Sequence, residues 1–477
     1  MAKIKAKGNH KMSLFTLTMI SSAFVISIRN FPMEAETGLH MLFFGLIAVI
    51  GFFLPVALVA AELATGWPKQ GGIYIWVKEA FGDRLGFFSV WLQWNYMVIG
   101  VIAMLYFVGG SLAFVFAPAL ASNRVFLVAV LLAVIWGATW ASLKGQKVSG
   151  IISSIGFLGG VLIPGLTIIA LAAIYLIQGN PIQMKLSLTE TNLIPNLSQI
   201  TTIVLLVAFM RAFSGIEASA SHAAEVDRPQ KSYPLAILFV VLLGFSLNML
   251  GSLSVGIVVP KQQISLLSGI MEAMSVFFAK FNLSGLVPVF GVLVAGGAIG
   301  GISTWVMGPV KGLHATALNG ELPPFFQKTN RYGAPSNLLM LQAGLVSLIG
   351  GSLLYFMPNL NIAFWTSTAA AMLIYFVMYS LMILAALRLR YTQPKVKRAY
   401  RVPGGKFGIW AVSIIGLLTL FMGFVIALFP PAELPTGNIL FYEIILICGI
   451  TIIYAIPLII YQFKSPDWKK GISKNDR

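Results

Sequence analysis

Apolar residues run along this chain in long blocks separated by short polar stretches. About 20 apolar residues cross a bilayer as a helix. Twelve blocks reach roughly that length: 13–38, 40–66, 86–117, 124–143, 151–178, 197–224, 233–259, 285–317, 337–357, 361–389, 407–429 and 439–462. The pattern predicts an all-α polytopic membrane protein with 12 transmembrane helices. An even number of spans places both termini on one side. Residues 66–87 are too polar and glycine-rich to span. Their aromatic residues predict an amphipathic segment lying on or dipping into the interface. Residues 178–199 read as a polar linker on the other face. No loop is long enough to fold as a soluble domain.

Composition agrees with this reading. The chain is 58% hydrophobic and only 10% charged, with a mean hydropathy of +0.88. A soluble domain is nearer a quarter charged. The single cysteine, Cys448, excludes a disulfide or a cysteine-based metal site within one chain. The first apolar block follows a basic stretch but lacks a small-residue cleavage site, so no cleavable signal peptide is expected.

The net charge of +17 changes meaning once it is placed on the topology. Of the 32 basic residues, 26 fall on the side of the termini, and only Arg124, Lys185, Lys261 and Lys280 on the other. Basic loops stay in the cytoplasm. The expectation is a multi-pass protein of a bacterial-type plasma (inner) membrane. Its cytoplasmic tails would be 1–12 and 463–477. The basic pI then needs no nucleic-acid partner. The run from Arg388 to Lys406 reads as topology before it reads as a lipid headgroup site.

Ionisable residues inside apolar blocks are costly and normally face a cavity or pathway. In the sixth block, Phe209 to Asp227 reads Phe-Met-Arg-Ala-Phe-Ser-Gly-Ile-Glu-Ala-Ser-Ala-Ser-His-Ala-Ala-Glu-Val-Asp. Arg211 falls near mid-membrane. It would either contact an anionic substrate group or pair internally with Glu217, Glu34 or Glu62. Gly215 is where the helix is expected to open, or else where a neighbouring helix comes close. Glu217 reads as a proton-linked or gating carboxylate, or as a hydrogen-bonded anchor. Glu34 and Glu62 are further gating or proton-coupling candidates. His222 and Glu225, near the cytoplasmic end, read as interface residues.

The first block carries Ile28-Arg29-Asn30-Phe31-Pro32-Met33-Glu34-Ala35-Glu36. Proline breaks the helical ladder, and freed carbonyls and a new helix N-terminus can bind a solute. Hydropathy leaves two readings open: a helix broken here, or a helix ending at Ile28 and followed by an external loop. The eighth block holds Gly296-Gly297-Ala298-Ile299-Gly300-Gly301-Ile302-Ser303-Thr304-Trp305. Its small residues predict close packing on a neighbour, and Trp305 would wall a solute site or simply pack. Paired interruptions in blocks one and six are a sequence pointer to a transporter site.

These residues resemble a known group. The Ser-Gly-Ile-Glu-Ala-Ser-Ala-Ser-His core with the trailing Ser-Tyr-Pro-Leu-Ala is similar to the sixth span and following loop of amino acid/polyamine/organocation transporters. The nearest subgroup is the glutamate/γ-aminobutyrate antiporters. Ala60-Ala61-Glu62-Leu63-Ala64-Thr65, Gly71-Gly72-Ile73-Tyr74-Ile75-Trp76-Val77, Phe81-Gly82, Trp305-Val306-Met307-Gly308-Pro309 and Arg401-Val402-Pro403-Gly404-Gly405 support it. The resemblance covers about 13 to 462. It implies the leucine-transporter type fold, with 5+5 inverted repeats plus two extra helices and with helices 1 and 6 discontinuous. The first repeat would be 13–178, the second 197–389, and the added pair 407–462. The resemblance favours the broken helix in block one. It places the substrate against Ile28, Arg29, Asn30, Phe31, Met33, Ala212, Phe213, Ser214 and Gly215, near Arg211 and Trp305.

Departures limit what is carried over. Phe31-Pro32-Met33 stands where many members of the superfamily have Gly-x-Gly. Gly301 stands where acid-resistance members have a glutamate, and 463–477 holds no histidine, so gating by a histidine-bearing tail is not expected. Arg29 and Arg211 replace uncharged residues, so the substrate is not copied across.

The expectation is therefore a secondary active amino-acid exchanger using alternating access, for an acidic substrate such as glutamate. It would be a monomer or homodimer in lipid, without cofactor or metal, and not an enzyme. A cationic amino acid or polyamine carrier, with Glu34, Glu36 or Glu217 as counter-charge, is the alternative within the class. A membrane-embedded redox subunit would need clustered ligands, whereas His10, His40, His222 and His314 are scattered. Gly82-Asp83-Arg84-Leu85-Gly86 is only a fragment of a major-facilitator loop motif.

Overall fold

The computed structural model describes residues 12–69, 71–219, 226–265, 267–431 and 439–469. Among these the chain is helical, and the one β pairing is an isolated parallel bridge from Met12 to Val226. Eleven stretches are long and apolar enough to cross a membrane. All match hydropathy blocks to within a few residues, and His40–Gly66, Arg124–Leu143 and Ile439–Gln462 match theirs outright. The block at 197–224 is different, because its described part is divided into short helices. His222 and Glu225, the lysines of the first eleven residues, and the tail from residue 470 lie outside the described residues.

The first half runs α1 (Leu14–Val25), α2 (Phe31–Ala35), α3 (His40–Ile47), α4 (Leu54–Gly66), α5 (Ile73–Phe81), α6 (Asp83–Phe116), α7 (Arg124–Leu143), α8 (Gln146–Phe157) and α9 (Ile163–Ile177). Ser13 caps α1 by accepting from the Thr16 amide at 3.2 Å, and Asn123 caps α7 through Phe126 at 3.1 Å. Two π-helical turns, 48–53 and 158–162, join α3 to α4 and α8 to α9. Each ends just before a proline, Pro55 or Pro164. A proline ring inside a helix collides with the carbonyl four residues back. A widened turn at that point relieves the clash without ending the span.

The second half runs α10 (Glu190–Leu193), α11 (Ile200–Ile203), α12 (Leu206–Ala212), α13 (Pro229–Val258), α14 (Gly269–Lys280), α15 (Val287–Leu318), α16 (Ser336–Phe356), α17 (Leu360–Thr392), α18 (Gly405–Ile426) and α19 (Ile439–Gln462). Helix α6 is the central element, buried along most of its length and packed against α15 and α17. Helix α5, expected at the interface, lays Ile73, Tyr74, Trp76 and Val77 into the core against α6 and α17. Helices α18 and α19 are peripheral. Their exposed faces carry Leu418, Phe421, Ile444 and Ile452, as a lipid-facing surface requires.

The glycines of block eight have the close partner expected of them. A Cβ on Gly156 of α8 would lie 2.7 Å from the Gly300 Cα of α15, and Gly160 meets Gly297 one turn on. The backbones of α8 and α15 touch there with no side chain between them.

Candidate functional site

Helix α1 stops at Val25, and Ile26 and Ser27 are extended. A 3-10 turn, Ile28–Asn30, leads into α2. The expected breaker, Pro32, instead sits in the first turn of α2. Its missing N–H is harmless there, since first-turn amides lack helical partners anyway. The chain therefore leaves helical geometry some five residues before the proline. In the sixth block, α12 ends at Ala212, and Gly215 has φ +109°. Its amide donates to the Tyr379 hydroxyl at 2.8 Å, and a 3-10 turn occupies 216–219. Only glycine fits here. The backbone is left-handed, and a Cβ would sit 2.7 Å from Trp305 Cζ2 and 3.1 Å from the Phe24 carbonyl oxygen.

The two interruptions border one cavity of about 20 Å³, room for a single water. Arg29, Arg211, Ser214 and Trp305 line it, together with Phe24, Ser27 and Tyr96. Both guanidinium groups are buried. Arg211 donates from Nη2 to the Gly100 carbonyl at 3.1 Å, while its Nε and Nη1, and Nε of Arg29, have no protein acceptor. Among the described residues no carboxylate pairs with either arginine. The three candidates for an internal ion pair are engaged elsewhere. Glu34 accepts from Ser252, Glu62 binds Arg390 and Arg398, and Glu217 accepts from Gln93, Tyr375 and Tyr379.

Aromatic rings close the walls. Trp305 donates Nε1 to the Phe24 carbonyl at 3.3 Å, with Phe24 edge-on to its ring at 5.1 Å. Tyr96 stacks on Tyr375 at 3.5 Å and its hydroxyl lies 2.8 Å from Ser214 Oγ. An amino acid exceeds the room left, so these rings must move apart to admit one.

Ile28, Asn30, Phe31, Met33, Ala212, Phe213 and Gly215 are buried beside these breaks but do not line the cavity. Phe31 packs on Gly251 of α13, and Phe213 stacks on Phe53 at 5.1 Å. Sequence reasoning missed Tyr96 of α6. The signal for it was the run Gln93-Trp94-Asn95-Tyr96, polar in the middle of an apolar block.

Glu217 joins three elements. Its Oε1 accepts from Gln93 Nε2 at 3.1 Å and from the Tyr375 hydroxyl, and Oε2 accepts from the Tyr379 hydroxyl at 2.6 Å. These bonds tie the segment after the break to α6 and α17. Glu62, which does not line the cavity, anchors the loop between α17 and α18. It binds Arg390, lies 3.5 Å from Arg398 Nε and accepts the Val402 amide at 2.9 Å.

Two buried cations at facing helix interruptions, inside a many-spanned bundle with a lipid-facing rim, define an integral membrane transporter. The chain belongs to the amino acid permease family, whose sequence model matches residues 12–450. It is 36% identical to an uncharacterized transporter of Legionella pneumophila, over 94% of this chain and 95% of the relative. It is 35% identical to a glutamate/γ-aminobutyrate antiporter of Lactococcus lactis, over 95% of this chain and 90% of that one. A probable agmatine/putrescine antiporter of the same species is more distant, at 21% identity over 83% of each chain.

Proposed function

We propose that this protein is an amino-acid exchanger for an acidic substrate, with glutamate the first candidate. The observation that carries the reading is the pair of buried guanidiniums, Arg29 and Arg211, lining one cavity with no carboxylate from the described residues. Buried charges are stable only when paired. A dicarboxylic amino acid brings one carboxylate for each arginine, and the fork of a guanidinium fits a carboxylate with two bonds. Its ammonium group would meet the Ser214 and Tyr96 hydroxyls and the last carbonyls of α1, which lie beyond the reach of the helical ladder. The name given to the 35% identical Lactococcus relative points the same way. A cationic substrate would sit beside two like charges, and Glu34, Glu36 and Glu217 do not line the cavity.

The same reading favours glutamate over γ-aminobutyrate at this site. A monocarboxylate leaves one guanidinium unpaired, and an unpaired buried group is a strong basis for rejection. Transport would follow alternating access in a twelve-span arrangement. The first repeat is 13–178, the second 197–389, and 407–462 supplies the added pair. Spans one and six are the discontinuous ones, and both termini lie in the cytoplasm of an inner membrane. Glu217 acts as a fixed brace across the cytoplasmic half of the site.

Counterflow in liposomes loaded with unlabelled amino acids tests the proposal. Radiolabelled glutamate and aspartate are expected to exchange, γ-aminobutyrate to compete more weakly, and arginine and putrescine not at all. Exchange of arginine or putrescine without glutamate overturns it.

A further inference from the structure

Glu34 on α2 is fully buried, yet only half of its carboxyl group is satisfied. Oε2 accepts from Ser252 Oγ of α13 at 2.7 Å, and Oε1 has no partner among the described residues. One turn before Ser252, on the same face of α13, lies Asn248. It too is fully buried, and neither its amide oxygen nor its amide nitrogen has a partner. Gly244 and Gly251, on the same stripe of α13, meet Ile26 and Phe31, so by helical spacing Asn248 lies along the side of α13 that packs on the first span. Glu217, braced by three donors, is the opposite arrangement in the same protein.

We propose that Glu34, Asn248 and Ser252 form a proton-binding site, and that α2 closes onto α13 with the proton bound. The proposal rests on the exchanger reading, because it assigns α2 to the outer half of an alternating-access cycle. An enclosed carboxylate with one hydroxyl donor and no cation is costly, whereas a carboxylic acid is not. As the acid, Glu34 donates its O–H from Oε1 to the Asn248 amide oxygen, so one proton gives a partner to each of these two oxygens. Ser252 goes on donating to the acid's carbonyl oxygen Oε2. The proton comes from water and returns to water when α2 swings away. No other group changes its protonation.

The charged groups on the elements around α2 leave Glu34 unpaired. Arg29 precedes it and Arg211 lies on α12, and both line the substrate cavity. On α14, Glu272 accepts from Ser268 Oγ and the Ser265 amide, and Lys280 ends the helix. On α13, Lys231 is at the far end from Ser252. Glu36 follows on the same segment as Glu34. Water approaches through a cavity of about 360 Å³ lined by Ala35, Thr37, Gly256, His40, Lys185 and Lys261. Thr37 bonds the Glu34 carbonyl at 2.6 Å, and Gly256 is one turn beyond Ser252, so this opening abuts the site.

Infrared difference spectroscopy of the purified protein near neutral pH reads the proton directly. Wild type minus Glu34→Gln is expected to show a carboxylic-acid C=O band, and its absence overturns the proposal. If Glu34→Gln does not yield folded protein, Ser252→Ala carries the test. Loss of its bond to the C=O is expected to raise the band's frequency, and an unmoved band overturns the assignment. Counterflow at equal pH on both sides supplies the coupling. Wild-type exchange is expected to fall about threefold or more between about pH 6 and about pH 9, because an ionised Glu34 resists closure. Glu34→Gln should hold its rate over that range. Equal pH profiles for the two proteins overturn the link to closure. If no exchange of glutamate is seen at all, the substrate reading falls, and the infrared measurement still decides the proton site.

Discussion

The two arginines and one glycine set the chemistry at the scale of single residues. Arg211→Ala removes one partner of a proposed substrate carboxylate, a loss of about 3 kcal/mol or on the order of a hundredfold in affinity. Uptake in liposomes should be abolished at substrate concentrations that saturate the wild type. The substrate-free protein should behave in the opposite way. Removing a buried charge that has no counter-ion relieves the folded state, so its melting temperature in detergent should hold or rise. A fall would assign Arg211 to structure instead. Gly215→Ala should do harm on both counts. It forces a Cβ onto a φ of +109° and into the Trp305 ring, costing about 2–3 kcal/mol. The melting temperature should drop and transport should be lost. Both arginines were legible in the sequence because a charge stands out in an apolar block. Tyr96 was harder to read: Gln93 and Asn95 beside it were the signal, but an aromatic residue in such a block looks like ordinary core.

At the scale of elements, the glycine seam between α8 and α15 brings backbone directly against backbone. Gly156→Leu would push a side chain into the Gly300 backbone, where nothing flexible can yield. The expected result is loss of the monodisperse peak in size-exclusion chromatography, while Gly159→Leu, whose Cβ meets nothing within 4 Å, keeps it. Hydropathy located the helices well, since a bilayer of fixed thickness dictates their length. It located the interruption in the first span poorly. Pro32 attracted attention as a breaker, yet the chain turns extended at Ile26 and Ser27, which carry no local signal. The reason lies in partners far along the sequence. Trp305 takes the Phe24 carbonyl that a continuing helix would have used. Proline had its effect elsewhere, in the widened turns before Pro55 and Pro164.

At the scale of the whole molecule, ion pairs among the described residues tie helix ends to loops distant in sequence. Glu62 holds Arg390 and Arg398, and Lys464 reaches Glu321 at 2.8 Å. Glu62→Ala leaves two guanidiniums short of their anion, one of them almost wholly enclosed. The cost is about 3 kcal/mol, to be read as a lower thermal midpoint with substrate recognition unchanged. The sequence marked Glu62 as a gating candidate because an acid within a span draws notice. Its role as a brace depends on a loop more than 300 residues away, which no local pattern discloses. One small contact sets a rule for the whole cycle. The Asp227 amide donates to the Met12 carbonyl at 2.9 Å beside the parallel bridge. The strip entering the first span and the strip leaving the sixth are thereby stitched together, backbone to backbone. For either to swing alone that bond has to break, at a cost of about 1 kcal/mol. In the proposed exchanger, with its termini in the cytoplasm, an inward exit is hinged like a double door whose leaves share one bolt: both leaves turn together or the bolt is first drawn.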